Sequence, residues 1–242
     1  MFDLAEHRVL ISGGGSGIGL ACARALTLAG AHVTVMGRRE APLIAAVLTG
    51  AAAAFILGNA AHPPAVEGFS ILVNAAGAAG SAPFLKTTDA DFRAALEANL
   101  MSAVALSRAV LPGMLEAGRG RIINIASTAA LKGYAYVAPY VAAKHALLGF
   151  TRALALEVAA RGVTVNAICP GFTETALLSE SVERITAVTG RDDAQARAQL
   201  AQNNPQGRLF QPEEIAALVV FLCGDQARGV NGAALPVSGG EV

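Results

Sequence analysis

The sequence predicts an α/β fold: a Rossmann-like, doubly wound parallel sheet of about seven strands in a single domain. Three observations predict it. Short apolar runs bounded by Gly, Pro or Asn alternate with helical patterns along the 242 residues. Several of those runs (RVLI, ILV, IINI) are apolar without alternation, as strands covered on both faces are. A glycine-rich stretch, Ser12 to Gly19, lies between the first strand and the first helix, where such folds meet their ligands.

The elements follow in order along the chain. Strands are expected at Arg8–Ser12, His32–Met36, Ala53–Leu57, Ser70–Val73, Arg121–Ala126, Val163–Ile168 and Ala233–Val237. Helical patterns fall between them at Gly17–Ala29, Ala41–Leu48, Asp89–Glu116, Pro139–Ala160 and Pro212–Leu222. Pro139 and Pro212 stand in first helical turns, where a missing N–H leaves no bond unmade. Glu213 and Glu214 meet the positive end of the last helix dipole. No repeat or linker breaks the series, so residues 1–242 read as one domain.

Composition narrows the function. Hydrophobic residues make up 54% and charged residues 15%, enough for a large core and too apolar for disorder. Lys plus Arg equals Asp plus Glu at 18 each, leaving no net field to attract nucleic acid or an anionic membrane. No apolar run reaches the ~18 residues of a bilayer span. The N-terminal MFDLAEHRVLISGGG moves straight into a strand without a leader pattern, so a cytoplasmic protein is expected. Cys22, Cys169 and Cys223 are odd in number and widely spaced, which suits buried reduced thiols rather than a disulfide framework. His7, His32, His62 and His145 lack ligand spacing, and no metal is expected.

The glycine stretch carries the first chemical signal. Glycines let the backbone turn tightly and let a pyrophosphate approach the N–H groups at the positive end of a helix. An ATPase phosphate loop requires Gly-Lys-Ser/Thr, and no lysine occurs here. A nucleophile elbow requires Gly-x-Ser-x-Gly, but two residues after Ser16 comes Ile18. The second signal is Tyr140, four residues before Lys144 in a chain with only three tyrosines and three lysines. Four residues turn about 400° and bring both side chains onto one helix face. On its own the pair reads equally well as a contact on a partly exposed helix.

The spacing Ser12-Gly13-xxx-Gly17-Ile18-Gly19 is similar to the T-G-xxx-G-I-G loop of the short-chain dehydrogenase/reductase family, with Ser12 replacing the threonine. Ser127, thirteen residues before Tyr140, and Lys144, four after it, match that family's catalytic Ser, Tyr and Lys. Asn99, in EANLMS, matches its fourth catalytic residue. LVNAAG, Leu72 to Gly77, resembles the L-V-N-N-A-G stretch that closes the adenosine pocket, with Ala75 for one asparagine. CPGFTET, Cys169 to Thr175, resembles the segment that holds the nicotinamide carboxamide, and NGAALPVSGG, Asn231 to Gly240, the last strand and tail. The resemblance implies cofactor contacts at Ser12, Gly13, Ser16, Gly17, Ile18, Gly19, Asn74, Ala75, Gly77, Tyr140, Lys144, Pro170, Gly171, Thr173 and Thr175. Asn59 and Ala60 complete the expected set, with Asn59 standing where an aspartate commonly meets the adenine amino group. The stretch Asn59–Phe69 is about a helix shorter than the family's usual length.

The implied reaction is hydride transfer between a nicotinamide cofactor and a ketone or secondary alcohol. A free tyrosine, with a pKa near ~10, is a poor base at neutral pH. A nearby cation favours the phenolate, so Lys144 and the positive nicotinamide ring are expected to lower the Tyr140 pKa, and Lys144 to bind the ribose. Ser127 would polarise the carbonyl. Asn99 would, by the resemblance, hold a water in a proton relay. The second strand ends in Gly37-Arg38-Arg39, where NAD-binding loops carry an acid roughly 20 residues past the glycines. Guanidiniums suit a 2′-phosphate, so Arg38 and Arg39 favour NADP, with NAD as the alternative and Glu40 as the residue that could serve it.

Residues 172–209 lack a sheet pattern and read as a substrate lid. Its Phe172, Leu177, Leu178 and Val182 could cover an aliphatic or aromatic substrate. Its Arg184, Arg191 and Arg197 could meet a carboxylate or a phosphorylated carrier, although a solvated helix face is the favoured reading. Small residues on the Asn99 and Tyr140 helices (Ala94, Ala95, Ala98, Ala142, Ala146) permit close packing; with the resembled family's habit of pairing these helices between subunits, they suggest a homodimer or homotetramer, and His145 reads as surface or interface. Candidate substrates are 3-oxoacyl thioesters and small cyclic or aromatic ketones. A non-catalytic dinucleotide sensor is the alternative function. A sugar-nucleotide epimerase would need a substantial C-terminal substrate domain for which the chain has no room.

Overall fold

A computed structural model of the chain describes residues 3–242; Met1 and Phe2, at the head of the N-terminal stretch, lie outside it. Seven strands, β1 (Arg8–Ser12), β2 (His32–Gly37), β3 (Ala54–Leu57), β4 (Ile71–Asn74), β5 (Gly120–Ile125), β6 (Val163–Pro170) and β7 (Ala234–Val237), form one sheet in the order β3-β2-β1-β4-β5-β6-β7. Every pairing is parallel, with Val9 opposite Val33 on one side and Ile71 on the other. The order reverses between β1 and β4, and a crevice opens beyond the carboxyl ends of strands at such a switch. This is the fold class the apolar runs predict.

Helices cover both faces. On one lie α1 (Gly17–Leu28), α2 (Glu40–Leu48) and α8 (Pro212–Cys223), burying Cys22, Leu26, Leu43 and Val219 against Val9, Ile11, Val33 and Val35. On the other lie α3 (Asp89–Leu96), a π turn at Glu97–Met101, α4 (Ser102–Glu116) and α5 (Ala138–Val158). There Leu106, Val110 and Met114 pack with Leu10, Leu72 and Ile122. Asp89–Glu116 is, among the described residues, the one helix long and apolar enough to cross a bilayer by length and composition. In the fold it lays one face on the sheet. Burial pushes the thiols of Cys22 and Cys169 up to about 12 and about 11, and that of Cys223 higher still. Such thiols are inert.

The segment 172–209 is more structured than a loop. It holds α6 (Ala176–Thr189) and α7 (Asp193–Ala201). Thr175 caps α6 by accepting from the Leu178 N–H, Gly190 ends it in the left-handed region, and Asp192 with Gln195 forms a capping box on α7. Leu178, Val182, Ala196 and Leu200 make a separate small core. The short stretch 59–69 contains no helix; Ala60, Val66 and Phe69 fold directly into the main core.

Candidate active site

The carboxyl ends of β1, β2, β4, β5 and β6 open into a cleft of about 1600 Å³. Gly13, Gly15, Ser16, Gly17, Ile18 and Gly19 line one end. The helix approaches its own loop closely: a Cβ on Gly19 would stand 2.3 Å from the Gly13 carbonyl oxygen. Ser16 is the N-cap of α1, yet its side chain caps nothing and the first turn holds no acid. The N–H groups there keep their positive end for an anion. Arg38 and Arg39, exposed at the end of β2, line the same end and have no ion pair or hydrogen bond among the described residues. These groups fit a dinucleotide carrying an additional phosphate on its ribose.

The other expected cofactor positions divide. Asn59, Ala60, Ala75 and Gly77 line the cleft, as do Pro170, Gly171, Thr173 and Thr175 on the facing wall. Thr175 meets the glycine loop, its Cγ2 3.1 Å from where a Gly17 Cβ would lie. Ser12 and Asn74, by contrast, do not line the cleft. Both are buried: Ser12 Oγ accepts from the Ala76 N–H at 3.2 Å, and Asn74 Nδ2 donates to Asn124 Oδ1 at 2.8 Å. They hold the end of β4 so that the next residues can face a ligand.

The four residues expected to carry chemistry all line the cleft. Tyr140 and Lys144 stand one turn apart on α5, with Lys144 Nζ 5.6 Å from the centre of the Tyr140 ring. Buried Lys144 donates to the Ile125 carbonyl at the end of β5, at 2.8 Å. Ser127 follows β5, its Oγ accepting from the Ala129 N–H at 3.1 Å. Asn99 lies in the π turn, a distortion that recurs at functional sites. Its Nδ2 donates to the Ala78 and Ala95 carbonyls at 2.9 and 3.0 Å, while Oδ1 is buried without a partner. A Cβ on Gly77 would lie 2.7 Å from that Oδ1 and 3.7 Å from Lys144 Nζ. The glycine therefore leaves open a space that the amide oxygen and the ammonium both border.

Burial draws the Lys144 ammonium down to about 8, opposed by the nearby Cys169. Burial pushes the Tyr140 phenol above its usual range, and a hydrogen bond with Ser127 pulls it back. The protein's own groups thus leave the phenol raised, whereas the expected lowering assigned part of that work to the nicotinamide ring. Among the protein's own groups desolvation dominates, and the ammonium is engaged by the Ile125 carbonyl.

The family model described as Enoyl-(Acyl carrier protein) reductase matches residues 13–241. The D-beta-hydroxybutyrate dehydrogenase of Cupriavidus necator is 39% identical, over 96% of each chain. The chain belongs to the short-chain dehydrogenase/reductase family. A crystal structure of a variant actinorhodin polyketide ketoreductase with NADPH superimposes with a TM-score of 0.90 at 34% identity, covering 97% of each chain. The L-sorbose reductase of Gluconobacter frateurii, complexed with NADPH and L-sorbose, does so at 0.92 with 30% identity, covering 99% of this chain and 98% of that one. The protein is an NAD(P)-dependent oxidoreductase of this family.

In this short-chain dehydrogenase/reductase the substrate half of the cleft includes residues that sequence reasoning missed. All three tyrosines line it. Tyr136 holds a left-handed backbone (φ 68°), and its carbonyl accepts from the Ala82 N–H at 2.8 Å, tying the loop before α5 to the loop after β4. Tyr134 meets Phe172 edge-on at 6.0 Å. Its hydroxyl bonds Thr128 Oγ1 at 2.6 Å and donates to the carboxylate of Glu241, which also pairs with Lys132 Nζ at 3.0 Å. Glu241 is buried because Gly239 and Gly240, both left-handed, turn the tail inward. The scarcity of tyrosine was the available signal for this wall; nothing in the sequence marked Glu241.

The lid residues also divide. Phe172, Leu177 and Leu178 line the cleft, whereas Val182 serves the small core of α6 and α7. Arg197 pairs with Glu174 at 2.6 Å and Asp193 at 2.7 Å, and Arg191 donates to Gln199. Both follow the solvated-face reading. Arg184 departs from it and lines the cleft. His145 is exposed, as expected of surface or interface.

Proposed function

We propose that the protein is an NADP-dependent ketoreductase that interconverts a ketone and a secondary alcohol, with 3-oxoacyl thioesters or small cyclic or aromatic ketones as substrates. The observation that carries this reading is the convergence of Tyr140, Lys144, Ser127 and Asn99 on one cleft, beside an uncapped helix start and two unpaired arginines. When bound, the nicotinamide cofactor supplies the hydride that reaches the carbonyl carbon. Gly13 to Gly19 and the N-terminus of α1 hold its pyrophosphate, and Arg38 and Arg39 its 2′-phosphate. Ser127 donates to the carbonyl oxygen and Tyr140 delivers the proton that completes the alcohol. Lys144 steadies the ribose hydroxyls and the phenolate left behind. A water between Lys144 Nζ and Asn99 Oδ1 returns a proton from solvent; the unpartnered amide oxygen supports that relay.

In this reading residues 1–242 act as one catalytic domain with 172–209 as its lid. The buried free thiols support a reducing, cytoplasmic setting. Solvent-facing small residues on α5 support assembly as a homodimer or homotetramer. The test is a panel of ketones followed by nicotinamide absorbance with NADPH and NADH, in wild type and Arg38→Ala. NADPH turnover, with a cofactor preference that shrinks at least about tenfold in Arg38→Ala, is expected. A preference for NADH unmoved by that change would refute the cofactor assignment.

A further inference from the structure

Four arginines lie on the lid, and the structure separates one from the others, with Arg208 paired to Glu214 at 2.7 Å. Arg197 is neutralised by two carboxylates and Arg191 lies exposed on α7's side. Arg184, on α6, lines the cleft and is partly buried. Its Nη2 donates only to neutral oxygens, Ser181 Oγ at 3.1 Å and the Ala79 carbonyl at 3.4 Å. Its Nε is buried with no partner, an arrangement that disfavours the empty guanidinium unless an acceptor arrives. No carboxylate among the described residues forms an ion pair with it. The one carboxylate lining the cleft, Glu97, is 3.0 Å from His62 Nε2.

The cations lining the cleft thus fall into three positions. Arg38 and Arg39 stand at the end of β2, Lys144 at the centre, and Arg184 on the lid that follows β6. The first two positions have work in the ketoreductase reading; the third has none. A guanidinium held by neutral oxygens on the lid helix is suited to an oxyanion, which it can bind through two N–H groups. The contact to the Ala79 carbonyl also sets Arg184 across from the loop after β4, so an anion there would bridge lid and cleft wall. We infer that Arg184 forms a subsite for an oxyanion on the substrate, so that the preferred ketone carries a negative group, either a carboxylate or the phosphate of a phosphopantetheine thioester.

This rests on the ketoreductase reading, and the experiment separates the two. With NADPH, kcat/KM is measured for a 3-oxo acid against its methyl ester, and for a 3-oxoacyl phosphopantetheine thioester against the uncharged N-acetylcysteamine thioester. Wild type is expected to favour the charged member of at least one pair about tenfold or more, chiefly through KM. The pair that shows it identifies carboxylate or phosphate. In Arg184→Ala the ratio collapses toward unity and in Arg184→Lys it is partly kept; in Arg191→Ala it stays as in wild type. Calorimetric binding of the 3-hydroxy acid and its methyl ester, and of the two 3-hydroxyacyl thioesters, supplies a readout without turnover. Charged ligands that bind through Arg184 while no ketone is reduced would sink the ketoreductase reading and keep the subsite. Equal kcat/KM and equal binding within both pairs, unchanged in Arg184→Ala, would overturn the subsite and leave the ketoreductase reading standing.

Discussion

Burial acts on Tyr140 and Lys144 in opposite directions, holding a proton on the phenol and loosening one on the ammonium. The proposed reduction uses both the phenol's proton and the cation beside it. Lys144 carries its charge below about 8, so kcat for reduction is expected to be level on the acid side and to fall as pH rises through about 8. Lys144→Arg, which keeps its charge, is expected to lose that fall at a reduced rate. A wild-type profile flat up to about pH 10 would exclude Lys144 as the controlling group. The same shift bears on stability. The unfolded chain holds this proton more tightly, so the Lys144 contribution is lost as pH falls from the usual 10.5 toward 8. Tyr140→Phe removes the phenol proton alone; at least ~10²-fold loss of turnover with cofactor affinity within a few-fold is expected. Retention of near-normal turnover would refute the acid role. The gathering of Asn99, Ser127, Tyr140 and Lys144 on one cleft was legible because their types and spacing match a chemical motif. Ser12 and Asn74 were misplaced because a motif position says nothing of whether its side chain faces ligand or strand neighbour.

At the scale of elements, the strands were legible from their apolar runs and the long helices from their prolines and small residues. Observed β1 begins and ends where the run RVLIS does. The lid helices were less so. Their capping signals, Thr175, Gly190 and Asp192-Gln195, stand in the sequence, but only four buried residues face one another there. So weak an apolar stripe is easily read as loop. The π turn had no signal, since EANLM is an ordinary helical sequence until Asn99 bonds the Ala78 carbonyl. The tail is tied to the catalytic loop by Glu241, whose removal leaves the Tyr134 hydroxyl and Lys132 without their shared acceptor. Glu241→Leu is therefore expected to cost about 1–3 kcal/mol of stability, and Glu241→Gln, which can still accept from Tyr134, less. Thermal unfolding of both variants checks this; equal melting temperatures for wild type and Glu241→Leu would show that the clamp contributes nothing.

At the scale of the whole molecule, the outer face of α5 has no explanation within the protomer. Along α5 the solvent-facing residues are Ala142, His145, Gly149, Arg152, Ala153, Leu156 and Glu157, with Leu156 83% exposed. Glycine in a helix interior costs roughly 0.5–1 kcal/mol relative to alanine, and it is normally kept where something comes close. A Cβ on Gly149 would meet nothing within 4 Å in its own chain, and the same holds for Gly113 on α4. Inside the protomer both positions could carry a side chain at no steric cost. In the proposed dimer or tetramer, the close neighbour would be a second protomer laying its own α5 or α4 against this face, a self-complementary contact of the kind that two-fold symmetry produces. Met101, in the same π turn as Asn99, is also exposed. Light scattering at micromolar concentration is expected to give a dimer or tetramer rather than the 24.5 kDa of one chain. Gly149→Glu adds a charge where the protomer itself has room. It is expected to lower the mass toward that of a single chain while leaving far-ultraviolet circular dichroism unchanged. A wild-type monomer, or an oligomer indifferent to Gly149→Glu, would mean that this face is not the contact.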